Sequence, residues 1–185
     1  MKIKRKAVEN MDLTGMLQSL ENCPCGRTHT FYTKAIEIGG DVTARAGRIL
    51  RSNGFDDEML LVADENTIAA SGNLRDVLRA SGFRLTEKIY ENLTYARAEQ
   101  VEEIKELAKD IPCILSVGTG SLNDICRVAS YQLQKKFAIY ATAPSMDGFA
   151  SDTAPIIKDN FKTSWQAEQP LVILGDTKVL AAAPA

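Results

Sequence analysis

The stretch Ile111–Ser151 limits the possible folds more than any other part of the sequence. An apolar run, Cys113 to Val117, leads into a glycine turn, Gly118-Thr119-Gly120. A helical pattern follows, with Leu122, Ile125, Val128, Ala129 and Leu133 recurring on one face at steps of three and four. A second apolar run, Phe137 to Ala141, then opens into the polar loop Thr142-Ala143-Pro144-Ser145-Met146-Asp147-Gly148. Strand, turn, helix and strand make a βαβ unit. Its crossover forces the two strands to pair in parallel and puts both loops at one edge of the sheet, where open α/β sheets bind ligands.

The first loop has the chemistry of an anion site. Gly118 and Gly120 carry no side chains, so a phosphate can approach the main chain. Ser121 stands at the start of a helix, where free N–H groups and the dipole favour negative charge. A tight βα turn also requires glycine on conformational grounds, so the pair alone leaves both explanations open.

The rest of the sequence repeats the alternation. Met11–Leu20 reads as a short helix and Ala35–Ile38 as a strand ending in Gly39-Gly40. Asp41 is placed to cap a helix carrying Val42, Ala46, Ile49 and Leu50, which Asn53-Gly54 ends. Met59–Ala63 is a continuous apolar run of the kind buried inside a parallel sheet. Leu74–Ala80 is expected as a helix closed by Ser81-Gly82, Phe83–Tyr90 as a strand, and Ala98–Ala108 as an amphipathic helix. Beyond Ser151 the segments Ile156-Ile157 and Asn160–Glu168 lack strong periodicity. Leu171–Leu174 is expected as a strand, Gly175-Asp176 as a turn, and Lys178–Ala182 as another extended apolar segment. The division is therefore residues 1–34, a helix and a cysteine-containing loop, and residues 35–185, an α/β domain with a parallel sheet and helices on its faces.

Asp64 sits at the tip of the Met59–Ala63 strand. A carboxylate there can accept hydrogen bonds from the ribose hydroxyls of a dinucleotide and repel a 2′-phosphate. It can equally cap the helix that begins near Thr67. The residues alone suit both roles.

Charge is balanced, with 24 acidic against 22 basic residues. Outside a basic tail of Lys2, Lys4, Arg5 and Lys6 there is no basic run, so no nucleic-acid surface is expected. No apolar stretch reaches the length of a membrane span, and the N-terminus lacks a signal-peptide core. Cys113 and Cys126 fall on apolar faces as buried thiols, which points to a reducing, cytoplasmic setting. The run Cys23-Pro24-Cys25-Gly26-Arg27-Thr28-His29 places two thiols and an imidazole close together. No fourth ligand is evident and Cys-x-Cys is not the usual finger spacing, so a polar loop is expected and no metal is assigned.

Two segments taken together, Val117-Gly118-Thr119-Gly120-Ser121-Leu122-Asn123-Asp124 and Ala141-Thr142-Ala143-Pro144-Ser145-Met146-Asp147-Gly148-Phe149-Ala150-Ser151, resemble the iron-containing alcohol dehydrogenase superfamily. Within it they are most similar to the sn-glycerol-1-phosphate dehydrogenases of bacterial type. In that family a Val-Gly-x-Gly-x-x-x-Asp turn is followed, after one helix and one strand, by a Pro-Thr-x-x-Ser-x-Asp-Gly loop. Here Thr119 replaces a common middle glycine and Ala141 a frequent proline, and neither change removes a backbone donor. Cys-x-Cys-Gly-x-x-His also occurs in bacterial relatives.

The resemblance implies a Rossmann-like parallel sheet with flanking helices, like the N-terminal domain of dehydroquinate synthase. It implies NAD(P)H-dependent reduction of dihydroxyacetone phosphate to sn-glycerol 1-phosphate. Gly118, Thr119, Gly120, Ser121 and Leu122 would cradle the pyrophosphate. Thr142, Ala143, Pro144 and Ser145 would line the nucleotide, with Ser151 completing the contact. Asp64 would contact the cofactor, NAD or NADP, and Asp147 the small phosphorylated substrate. Asp124 would reach the nicotinamide side or support the turn. The family's divalent metal (zinc, nickel or iron) is held by one aspartate and two histidines from a C-terminal helical domain absent here, so the chain alone is expected to be inactive. Apolar residues of Leu171–Leu180 are expected to lie exposed and favour a homo-oligomer. A non-enzymatic nucleotide-binding or assembly module, and another polyol dehydrogenase of the same superfamily, stand as alternatives.

Overall fold

The computed structural model describes residues 12–184. The basic tail and Met11 lie outside them. A short helix α1 (Leu13–Gln18) opens the described chain, and its N-terminus is capped by Asp12, which accepts from the Gly15 N–H. The domain proper runs β1 (Ala35–Gly39), α2 (Val42–Ser52), β2 (Glu58–Asp64), α3 (Glu65–Ala70), α4 (Leu74–Ala80), β3 (Arg84–Tyr90), α5 (Ala98–Leu107), β4 (Cys113–Gly118), α6 (Ser121–Leu133) and β5 (Lys136–Ala141). A hairpin β6 (Thr153–Lys158) and β7 (Phe161–Gln166) follows, then β8 (Val172–Asp176) and α7 (Thr177–Ala181).

Six strands form one sheet in the order β1-β8-β5-β4-β2-β3, every pair parallel. The central strands are buried along almost their whole length because both faces are covered. Met59, Leu61 and Ala63 of β2 join a core with Val42, Ala46 and Leu50 of α2 and Leu74 and Leu78 of α4. Leu60 and Val62, pointing the other way, join Val101 and Ile104 of α5 and Leu122, Ile125 and Val128 of α6. Burying one such aliphatic side chain stabilises by roughly 1.5–3 kcal/mol, which makes these two layers the main support of the domain.

The two faces also define where the winding reverses. The connection leaving β2 runs over one face and the helix leaving β4 over the other, although β2 and β4 are neighbours with Ala63 opposite Val117. A crevice opens at such a switch point, outside the carboxyl ends of the strands.

Four expectations are corrected. Gly175-Asp176 is not a turn: both residues belong to β8, and Asp176 then caps α7 by accepting from the Lys178 N–H. Lys178–Ala182 is accordingly helical through Ala181 rather than extended. Of the stretch Leu171–Leu180, expected to lie exposed, Leu171, Val172, Ile173 and Leu174 are buried, since β8 lies inside the sheet between β1 and β5, while Val179 and Leu180 are half-buried. Asp41 stands before α2 with φ 60 and makes no capping bond. The Thr43 N–H donates instead to Asp176. The weakly patterned region after Ser151 is the β6–β7 hairpin, turned by Asp159 and Asn160 at φ 52 and 64, as a tight primed turn requires.

Among the described residues, no helix is long and apolar enough to cross a membrane.

Candidate functional site

The carboxyl ends of β2, β4, β5 and β8 bring one group of loops together. Gly118 pairs with Ala141, and Ala141 with Gly175, so the glycine turn and the loop from Thr142 onward rise side by side. The two glycines do different work. A Cβ on Gly118 would stand 2.4 Å from Leu122 Cδ1, so this glycine lets α6 approach the strand. Gly120 adopts φ 47, ψ −119, a conformation that favours glycine, and a Cβ there would meet nothing within 4 Å. The space above Gly120 is open.

Helix α6 begins there with no side-chain cap. The Ser121 hydroxyl turns away to donate to the Thr94 carbonyl at 3.0 Å. Two buried polar atoms in this stretch have no partner, Thr119 Oγ1 and Asn123 Nδ2. Asn123 accepts from Ser116 at 2.6 Å through its oxygen, which leaves its amide donor unused. Unpaired buried polar groups are costly, and here they flank a helix N-terminus, the usual place for a bound anion. The uncapped N-terminus is the donor set that a phosphate would use.

Asp64 is on the adjacent strand, buried, with Oδ1 accepting from the Thr67 N–H at 2.8 Å. The Asp64 N–H donates to Thr67 Oγ1 at 3.0 Å, which completes a capping box. The capping role is therefore present in the geometry, next to the crevice where a ribose contact would be made.

The loop after β5 divides. Thr142 is buried, Ala143 half-buried, and Pro144, Ser145 and Asp147 are exposed. Met146, which sequence reasoning passed over, leans back so that its sulfur accepts from the Gly120 N–H at 3.1 Å. Asp147 lines a largely apolar hollow of about 320 Å³ with Ile38, Pro144, Phe149, Ile173 and Leu180. Ser151 is engaged locally: its hydroxyl donates to the Thr153 carbonyl at 2.9 Å and accepts from the Thr153 N–H at 3.1 Å.

The family model described as iron-containing alcohol dehydrogenase matches residues 37–184. The chain belongs to the iron-containing alcohol dehydrogenase family. Its relatives in that family include the glycerol-1-phosphate dehydrogenase [NAD(P)+] of Bacillus velezensis, 36% identical over 80% of this chain and 39% of that protein. The corresponding protein of Geobacillus stearothermophilus is 32% identical over 95% of this chain and 45% of its own length. Among solved structures, glycerol dehydrogenase from Schizosaccharomyces pombe shares the fold with a TM-score of 0.74 at 18% identity, covering 86% of this chain and 41% of that one. The NADH-dependent butanol dehydrogenase A of Thermotoga maritima gives a TM-score of 0.73 at 16% identity, covering 86% and 46%. The chain thus spans less than half the length of the relatives it matches.

Two further residues, not singled out from the sequence, organise these loops. Arg127 of α6 is fully buried and donates to the carbonyls of Gly148 at 2.8 Å, Phe149 at 3.0 Å and Thr153 at 3.2 Å, fastening the end of the β5 loop to the helix. Burial lowers the pKa of its guanidinium, opposed by the nearby charges of Asp124 and Asp152. Burial also pushes the Asp124 carboxyl up to about 6, against the pull of Arg127 and Lys162. Asp176 is the second. Burial pushes its carboxyl up, but the N–H groups of Thr43 and Lys178 and the Thr43 hydroxyl hold it below the usual range. Thr43 also bonds Tyr140 at 2.6 Å, which ties α2, β5 and β8 into one network. An aspartate before a helical turn was the available signal for Asp176, and Arg127 had none, because its partners lie on a distant loop.

Proposed function

We propose that this chain is the dinucleotide-binding part of a glycerol-1-phosphate dehydrogenase, serving NAD(P)H-dependent reduction of dihydroxyacetone phosphate. One observation carries the reading: an uncapped helix N-terminus with open space above Gly120 stands at the switch point, one strand away from Asp64. Gly118, Thr119, Gly120, Ser121 and Leu122 would hold the pyrophosphate. Asp64 would accept from the ribose, and Thr142, Ala143, Pro144 and Ser145 would lie along the nucleotide. Ser151 shapes the far end of that wall through its turn with Thr153. Asp147, at the apolar hollow, is the residue we place toward the substrate.

The nicotinamide, when bound, supplies the hydride. The chain's own contribution is to orient it and to keep water from the crevice. The family's metal, zinc, nickel or iron, is not fitted by these residues. A site of one aspartate and two histidines needs a second histidine, and this sequence has only His29, in the segment leading into the opposite, N-terminal end of β1. Full turnover therefore belongs to a larger assembly than this sequence, and binding is the activity to measure here.

Titration with NADH, followed by fluorescence or calorimetry, tests the reading. Saturable binding is expected, weakened about tenfold or more (~1.4 kcal/mol) in Gly120→Val, whose branched side chain fills the open space. Circular dichroism checks that the variant is folded. Equal binding by a folded variant and the parent would end the assignment of the glycine turn.

A further inference from the structure

The segment ahead of the sheet presents a different problem from the rest of the molecule. From Asp12 to Tyr32 no residue is buried, and α1 contributes nothing to either core. Its ties to the domain lie at the far end, where the Tyr32 N–H donates to Gln169 and the Lys34 N–H to the Leu171 carbonyl. A chain segment without a core of its own needs some other constraint to hold one shape.

Within it, three soft or borderline ligand atoms converge. The sulfurs of Cys23 and Cys25 and an imidazole nitrogen of His29 all lie within 4.8 Å of one another. Cys25 Sγ and His29 Nε2 are 3.1 Å apart. Tetrahedral zinc with Zn–S near 2.3 Å and Zn–N near 2.0–2.1 Å separates its ligand atoms by about 3.5–3.8 Å, so small side-chain adjustments would seat an ion. The backbone is already turned for this. The Gly26 N–H donates to the Cys23 carbonyl at 3.2 Å, and Gly26 takes φ 70, which reverses the chain so that His29 returns to the two thiols. Both cysteines are free thiols, and neither is buried, so packing gives no reason for them. Cys23 and His29 also line a surface hollow of about 530 Å³ beside Leu17, Leu20 and Glu21, so the group sits where α1 meets the loop.

We propose that Cys23, Cys25 and His29 form a metal site for a zinc-like divalent ion, one that staples α1 and its following loop into a fixed shape. Binding releases two thiol protons and leaves the imidazole neutral: the ion takes two thiolates and one nitrogen, and water fills the fourth position. This site is independent of the family's catalytic metal, whose ligand set these residues do not supply, and it does not depend on dinucleotide binding at the opposite edge of the sheet.

Cobalt(II) provides the test, because thiolate coordination gives a near-ultraviolet charge-transfer band and tetrahedral geometry gives intense visible absorption. The reduced, metal-free chain is expected to develop both at one equivalent of cobalt and to lose them when zinc displaces it. Cys23→Ser and Cys25→Ser should each abolish the charge-transfer band of the pair, and His29→Ala should weaken binding by about tenfold or more. Cys126→Ala, which removes a thiol sealed in the α6 layer, should leave the spectrum unchanged. Hydrogen exchange across residues 13–32 should slow on adding zinc to the parent chain and not to Cys23→Ser. No band at one equivalent, a band that survives in the Cys23→Ser/Cys25→Ser double variant, or exchange that zinc leaves unchanged would each overturn the proposal.

Discussion

The helices that follow β2 and β4 start side by side at one edge of one sheet, yet they are finished in opposite ways. Helix α3 closes its own N-terminus: Asp64 and Thr67 satisfy each other's backbone, and Glu65 adds negative charge in the first turn. Helix α6 is left open. Gly120 offers no cap, Ser121 turns its hydroxyl to Thr94, and Thr119 Oγ1 stays unpaired. A helix N-terminus carries the equivalent of about half a positive charge wherever it occurs, so what makes one a binding site is the withholding of an internal partner. One terminus is closed by its own side chains and its neighbour is not.

The most forceful way to break the contrast is to give α6 what α3 already has. Ser121→Asp places a carboxylate at the first helical position, where it complements the dipole and occupies the anion position. NADH affinity should fall about tenfold or more, while the melting temperature holds or rises slightly, by the ~0.3–1 kcal/mol such charges contribute. Parallel titration and thermal melts would read both, and unchanged affinity would mean that the open terminus is not the anion site.

Asp64→Ser works from the other side. Serine preserves the cap, which is worth about 1 kcal/mol, but removes the charge beside the ribose. Stability should change little, and the preference for NAD over NADP should narrow several-fold, about 1 kcal/mol. Cofactor titrations settle it: if the parent binds NADP as tightly as NAD, Asp64 has only its structural role.

Asp124 sharpens the comparison through pH, since it is the acidic residue in the first turn of α6. Its folded pKa of about 6 lies above the ~3.9 of an unfolded aspartate, so between those values the folded state holds more protons. The stabilisation is complete below about pH 4 and is lost as pH rises through 6. Discounted for partial exposure, its size is on the order of 1 kcal/mol. Asp124→Asn should remove that slope from urea unfolding measured between pH 4 and pH 7.5. A slope that persists in the variant would place the titration elsewhere.

The smallest effect is expected from Met146→Ala. It frees the Gly120 N–H from the thioether and should tighten NADH binding two- to threefold, roughly 0.5 kcal/mol. Weaker binding would show that Met146 contacts the ligand rather than shielding its place.

How much of this the sequence disclosed follows from the physics of each element. Strands β2, β4 and β5 were legible because a strand covered on both faces is a nearly continuous apolar run. The hairpin was not: β7 is exposed almost throughout and β6 carries Pro155, so neither shows a clean alternation, although Asp159-Asn160 was a readable turn signal. Helix α7 has five residues, too few for a 3.6-residue period to register. At the proposed site, Gly118, Gly120 and Asp64 were readable as candidates because their positions are local to a turn. The Met146 sulfur on Gly120 and the grip of Arg127 on three carbonyls depend on loops brought together only by the finished sheet.

The placement of β8 has a consequence for how the molecule comes into being. Strand β1 is made early but has a single neighbour in the sheet, and that neighbour is β8, whose first residue Val172 pairs with Ala35. During synthesis at roughly 5–20 residues per second, β1 must wait on the order of 7–27 s for its partner to emerge. Strands β2 to β5 can assemble among themselves in that interval, while β1 stays unpaired and the core under α2 lacks one of its walls. Strand β8 is the one that joins β1 to the rest of the sheet, so β1 acquires its place only after β2 to β5 have been made.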